Sequence, residues 1–280
     1  MNKLFTLLLC SVLCTQLSAI AQSCCTKPTG MQALAMSKSF KASHAAPLPL
    51  HYTPQSGKMI TFPVTGGAAG NAFYIPADEA TDKVLVIFHE WWGLNDYIKR
   101  EAETWHKLLG GKVSIYAADL YDGKVATNAE TAGKLMGGLQ QKRGEAIVKG
   151  ALASVGKDKR IATLGWCMGG SWSFTASVLA GSQAAGCVMY YGFPEKDMAR
   201  IKPLKCDVVY IYGAKDEHIK ITDVHEFEKK VQQAGRSITM YSYDAVHAFA
   251  NPSNPNYDAR SAGEAQNAAL SFLHEKLSVE

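Results

Sequence analysis

The sequence predicts an α/β fold in which a mostly parallel central sheet carries helices on both faces. Three observations lead there. Apolar runs such as KVLVIFHE (83–90) and CDVVYIYG (206–213) are continuous rather than alternating, so both faces of those strands must be covered. Helical segments separate the runs, as parallel crossovers require. The 280 residues, 47% hydrophobic and 19% charged, suffice for one full core, and no internal repeat or second core divides them.

The first segment, MNKLFTLLLCSVLCTQLSAIAQ, reads differently. Lys3 is a charged n-region, Leu4 to Leu13 an apolar h-region and Ala19-Ile20-Ala21 a small-residue cleavage pattern, so residues 1–21 are expected to be a signal peptide. The apolar run is too short to span a bilayer. Export to the periplasm or medium is expected, with cleavage near Ala21 and no transmembrane anchor. Lipoprotein anchoring at Cys24 ranks second, because AQSC is a poor lipidation signal. Residues 22–57, rich in Ala, Ser, Lys and Pro without a sustained period, read as an extended or partly helical leader to a domain at 58–280.

In that domain MITFPV and NAFYIP flank TGGAAG as an opening hairpin. The strand KVLVIFHE is followed by an amphipathic helix, DYIKREAETWHKLLGG, closed by Gly110-Gly111. KVSIYAAD is the next strand, and after LYDGKVATN a helical region runs to about Ser154 with an interruption near Gly137-Gly138. A strand over RIATLGW then leads to the helix SWSFTASVLAG, which ends at Gly181. GCVMYYG, CDVVYIYG and SITMYSY supply three further strands, separated by EKDMARI and the helical TDVHEFEKKVQQAG; DARSAGEAQNAALSFLHEKL closes the chain as a helix.

Chemistry in such a sheet belongs at the carboxyl ends of the strands. There, KRIATLGWCMGG (159–170) sets Cys167 between Gly165 and Gly169 on a strand-to-helix turn. This G-x-C-x-G is the thiol version of a nucleophile elbow, in which small neighbours relieve a strained central residue. A helix N-terminus or a histidinium can lower a thiol pKa from its ordinary value of about 8.5. Plain burial is the competing reading, since cysteine is among the most buried residue types. Asp216 and His247 each follow a later strand, giving the order nucleophile, acid, histidine that α/β-hydrolases use. His247 would take and return the thiol proton while Asp216 fixes its tautomer. Glu90 ends its strand before WWGLND, where the Trp91 and Met168 backbone N–H groups are the natural oxyanion donors and the two tryptophans an apolar wall, Trp92 included.

The remaining composition narrows the classes. The formal charge of +4 falls to +3 when Lys3 leaves with the signal, which is too mild for a nucleic-acid binder. Of seven cysteines, Cys10 and Cys14 lie in the signal. Cys24, Cys25, Cys167, Cys187 and Cys206 form neither a disulfide-dense scaffold nor a C-x-x-C metal set. Cys24 and Cys25 read as an idle pair, and Cys187 and Cys206 as core residues that an oxidising compartment would allow to pair.

Together HEWWGLND, DLYDG, GWCMGG, GAKDEH and HAFANP resemble the dienelactone hydrolase family over roughly residues 58–280. The resemblance implies the α/β-hydrolase fold, a Cys167–Asp216–His247 triad, Glu90 as the resting partner of the thiol, and no metal or organic cofactor. It also exposes departures. Two family arginines that clamp a substrate carboxylate correspond here to Gly123, beside Lys124, and to Asn251. Tyr121, Lys124, Asn251 and Tyr257 are the expected pocket residues. The reading is thus an exported cysteine hydrolase of small-molecule esters or lactones, working through an acyl-thioester, with its oligomeric state left open. The alternatives are a catalytically silent scaffold that binds a ligand or partner, and a thiol redox protein, which lacks a resolving cysteine at C-x-x-C spacing.

Overall fold

The structure, a computed structural model, describes residues 30–279. The signal peptide, its Ala21 cleavage point, Cys24 and Cys25 lie outside the described residues.

Strands β1 (Lys58–Phe62) and β2 (Gly70–Ile75) form the antiparallel hairpin, with Phe62 opposite Gly70 at the turn. β2 runs antiparallel to β4 (Ser114–Asp119), and all further pairs are parallel: β3 (Lys83–Phe88), β5 (Arg160–Trp166), β6 (Ala184–Tyr190), β7 (Asp207–Gly213) and β8 (Ile238–Tyr243). The order across the eight-stranded sheet is β1-β2-β4-β3-β5-β6-β7-β8. Successive side chains of a strand point to opposite faces. Val84 through Phe88 are all buried, so both faces of the sheet's centre are covered.

Side-chain caps start the helices where the sequence predicts them. Asn95 Oδ1 accepts the Ile98 N–H at the head of α3 (Asp96–Leu108), and Asn128 Oδ1 that of Thr131 at the head of α4 (Ala129–Gly138). The interruption near Gly137-Gly138 separates α4 from α5 (Gln141–Val155), because Leu139 turns extended at φ −68, ψ 104. α6 (Met168–Ala180) packs on β5 and β6, pinned by a buried network in which the Thr163 hydroxyl donates to the Ser173 carbonyl at 2.9 Å and lies 2.7 Å from Ser177 Oγ. α7 (Met198–Ile201), α8 (Ile221–Gln233) and α9 (Ala259–Leu277) complete the layers. Among the described residues no helix is long and apolar enough to cross a membrane.

The leader is partly helical, as expected, with α1 (Met31–Met36) and α2 (Lys38–Ala42). It does not stand away from the domain. α1 packs along α4, Lys41 pairs with Glu130 at 2.7 Å, and Ala35 and Phe40 are fully buried.

Candidate active site

β5 ends at Trp166 and α6 begins at Met168, which leaves Cys167 alone in the turn at φ 53, ψ −122. A non-glycine residue tolerates this conformation only where its surroundings enforce it. The glycines provide the room: a Cβ on Gly165 would lie 2.1 Å from the Gly169 carbonyl oxygen, and one on Gly169 2.3 Å from that of Phe88. The same contact shows that the loop after β3, which carries Glu90 and Trp91, runs against the head of α6. The Cys167 N–H donates to the Tyr190 carbonyl at 2.9 Å, tying the turn to β6.

The three residues read from separate strand ends come together. His247 Nε2 stands 3.3 Å from Cys167 Sγ, and His247 Nδ1 donates to Asp216 Oδ2 at 2.6 Å. Asp216 Oδ1 accepts the N–H groups of His218 and Ile219 at 2.8 and 3.0 Å. Burial alone would raise the Asp216 carboxyl, but the His247 imidazole that donates to it and these backbone donors hold it below the ordinary carboxylate value.

Burial also opposes charge on His247, whereas a thiolate at Cys167 and the Asp216 carboxylate would raise the imidazole. Burial pushes the Cys167 thiol up, against the His247 imidazole and the Met168 N–H, and the Glu90 carboxylate adds to the rise. The rise of the imidazole depends on a thiolate, which the raised thiol does not supply. We take the thiol as the resting form: the sulfur residue is 1% exposed and has a carboxylate nearby, so water cannot stabilise its charge. Asp216 then orients a neutral His247, whose Nε2 accepts the S–H.

Glu90 lies in the site but is not the thiol's hydrogen-bonding partner. The Tyr191 hydroxyl donates to its Oε1 at 3.3 Å and the Asn251 amide donates to its Oε2. Burial raises its carboxyl to about 7, against the opposing pull of these two donors. His89 sets the loop: its Nδ1 donates to the Glu90 carbonyl at 2.6 Å and its Nε2 accepts the Leu120 N–H at 3.1 Å. Met168 opens α6, so its N–H has no carbonyl partner within the helix, and Trp91 stands in the adjoining turn.

The expected pocket residues divide. Trp92, Glu90 and Asn251 line a small pocket of about 30 Å³ together with Tyr191 and Trp166. Tyr121, buried beside the elbow, donates its hydroxyl to Met168 Sδ at 3.1 Å rather than facing that pocket. Lys124 is exposed and Tyr257 lines a separate hollow, so neither joins it. Gly123 adopts φ +85, held by its N–H to the Asp119 carboxylate, a backbone an arginine would resist. Cys187 and Cys206 are buried and unpaired, so the disulfide that export would permit is absent among the described residues.

Five contributors went unrecognised in the sequence. Tyr191, at φ 37 just past β6, packs its ring against His247. Phe40 and His44 of the leader press on the same imidazole, with ring centroids 5.9 and 5.4 Å from it, and His218 meets Phe40 at 4.9 Å. Ser43 Oγ, 2.8 Å from His218 Nε2, fastens the leader there. The signals were the two aromatic rings at i, i+4 and a tyrosine at a strand's carboxyl end. The leader therefore packs on the imidazole that faces the sulfur.

Residues 71–277 match the dienelactone hydrolase family. The chain is 27% identical over 231 residues to protein usf of Aquifex pyrophilus, covering 79% of this chain and 99% of that protein. It is 25% identical over 223 residues to carboxymethylenebutenolidase 1 of Cupriavidus pinatubonensis, covering 75% and 92%. The solved structure of a dienelactone hydrolase-like promiscuous phosphotriesterase from metagenomic libraries superposes with a TM-score of 0.68 at 19% identity, covering 79% of this chain and 99% of that one. That likeness shows the α/β-hydrolase fold.

Proposed function

Because the chain belongs to the dienelactone hydrolase family, we propose that it hydrolyses carboxylic esters or lactones, with Cys167 as nucleophile and an acyl-thioester as intermediate. One observation carries this reading: a sulfur 3.3 Å from an imidazole nitrogen whose other nitrogen is 2.6 Å from a carboxylate. As Sγ bonds to the substrate carbonyl carbon, the thiol proton passes to His247 Nε2 and the carbonyl electron pair moves onto oxygen. The N–H groups of Trp91 and Met168 receive that oxyanion. Collapse expels the alkoxide, which takes the proton back from His247, and leaves the thioester. A water then gives its proton to His247 and attacks, releasing the acid and regenerating the thiol. The sum is ester plus water to acid plus alcohol. Glu90, held by Tyr191 and Asn251, is a positioning residue of the pocket wall.

We expect Cys167→Ala to lower turnover of aryl esters and lactones at least a thousandfold. Unchanged turnover in that panel would sink the proposal. The burial of the sulfur favours one second reading, a binding protein without turnover. It predicts no acyl adduct on Cys167 with an activated ester, which mass spectrometry reads directly. Export with cleavage near Ala21 completes the proposal, and N-terminal sequencing of the mature protein tests it: a chain still beginning at Met1 contradicts it.

A further inference from the structure

Beside the sulfur, His44 has a nitrogen without a partner. Its Nδ1 donates to the Phe40 carbonyl at 2.7 Å, which leaves Nε2 with its lone pair free. That atom is buried and has no hydrogen-bond partner, and the residue is only 4% exposed. The ring lies beside the catalytic pair: His44, Cys167 and His247 place one ligand atom each within 4.8 Å of one another. His247 is oriented in the same manner, since its Nδ1 donates to Asp216. Histidines that ligate metals are held in this way, with the outer nitrogen donating to a carboxylate or backbone carbonyl.

We propose that His44 Nε2, Cys167 Sγ and His247 Nε2 form a binding site for a thiophilic divalent cation of the zinc type, which clamps the leader over the sulfur. Two imidazoles and a thiolate suit such a cation, whose bonds of about 2.0–2.3 Å put ligand atoms about 3.3–3.8 Å apart. Nε2 of His247 and the sulfur already stand at 3.3 Å. The widest separation needs to close by roughly 1 Å, within reach of side-chain rotation. On binding, the sulfur–metal bond replaces the S–H bond and one proton leaves to solvent, with no change of oxidation state. The bound sulfur cannot attack an acyl group, so the cation holds the enzyme off; this consequence rests on the hydrolase reading, whereas the ligation does not.

The test titrates Zn²⁺ into the full-length protein against a chromophoric chelator and Co²⁺ in parallel. One equivalent should bind, and Co²⁺ should show a thiolate charge-transfer band. His44→Gln, which keeps a donor for the Phe40 carbonyl, should weaken binding at least tenfold. Replacing both Cys24 and Cys25 with Ser, or the exposed His225 with Gln, should leave it unchanged. Binding that survives His44→Gln, a missing charge-transfer band, or loss of the site with the Cys24/Cys25 change overturns the proposal. Zn²⁺ should inhibit ester hydrolysis with the same midpoint, and inhibition without His44 dependence counts against the clamp. If the metal-free protein hydrolyses no ester at all, the hydrolase reading fails while the two titrations still decide the metal site.

Discussion

At the scale of single residues, the steric facts at the elbow and the charge at Glu90 give separate expectations. An added methyl at Gly169 strikes the Phe88 and His89 carbonyl oxygens at 2.3 and 2.5 Å, and backbone cannot yield as a side-chain tip can. Gly169→Ala should destabilise the protein by about 1–3 kcal/mol, read as a lower urea midpoint, and lower ester turnover by displacing the oxyanion donors. Glu90 behaves in the opposite sense from a paired carboxylate. Its folded pKa of about 7 lies above the ordinary 4.5, so the native state holds the proton more tightly than the unfolded chain does. Its contribution is complete below the ordinary value and is lost as pH rises through about 7, a difference of about 3 kcal/mol. Urea midpoints between pH 4 and 8 should therefore fall less steeply in Glu90→Gln than in the parent; parallel curves would mean that the carboxyl is ionised without cost. Cys167, Asp216 and His247 were legible because each ends a strand run. Glu90's partners were not, because Tyr191 and Asn251 meet it only through tertiary contact.

At the scale of elements, strands and long helices follow their sequence patterns closely, and the leader does not. β3, β7 and α9 have continuous apolar runs or a capped 3.6-residue period that specify them locally. α1 and α2 have six and five residues, too short to be stable in isolation, and form only by docking on α4 and the ring cluster. A composition rich in Ala, Ser and Lys gives no sign of that docking; Phe40 is the anchor that decides it. Phe40→Ala should therefore release the leader rather than unfold the sheet. The loss of a buried ring, about 3–5 kcal/mol when nothing moves, exceeds what so short a segment can hold docked. With Cys24 and Cys25 replaced by Ser, alkylation of Cys167 by iodoacetamide should quicken at least tenfold in Phe40→Ala, with only a small drop in the unfolding midpoint. An unchanged alkylation rate would show that the leader does not guard the sulfur.

At the scale of the whole molecule, net charge and local charge point in opposite directions, and the site obeys the local one. The chain holds 29 Lys and Arg against 25 Asp and Glu, yet the small pocket walled by Trp166, Tyr191 and Asn251 is lined by Glu90 and Glu101 and by no basic side chain. Where the family resemblance leads one to expect arginine, Asn251 is spent on Glu90 and Gly123 carries no side chain. An anionic substrate that widened this hollow of about 30 Å³ would lie beside a buried carboxyl with no cation to meet it, and such repulsion grows as the surroundings dry. Neutral esters should therefore exceed their carboxylate-bearing analogues by at least about tenfold in kcat/KM, a difference of about 1.4 kcal/mol. The margin should widen from pH 6 to pH 8, as Glu90 ionises through about 7. Glu90→Gln should narrow it at the upper end of that range. Equal kcat/KM for a lactone acid and its methyl ester across those pH values would mean that the acyl group approaches by another route, from the larger cavity of about 640 Å³ beside the leader, where Lys196 and Arg200 are already paired with Asp223 and Glu195.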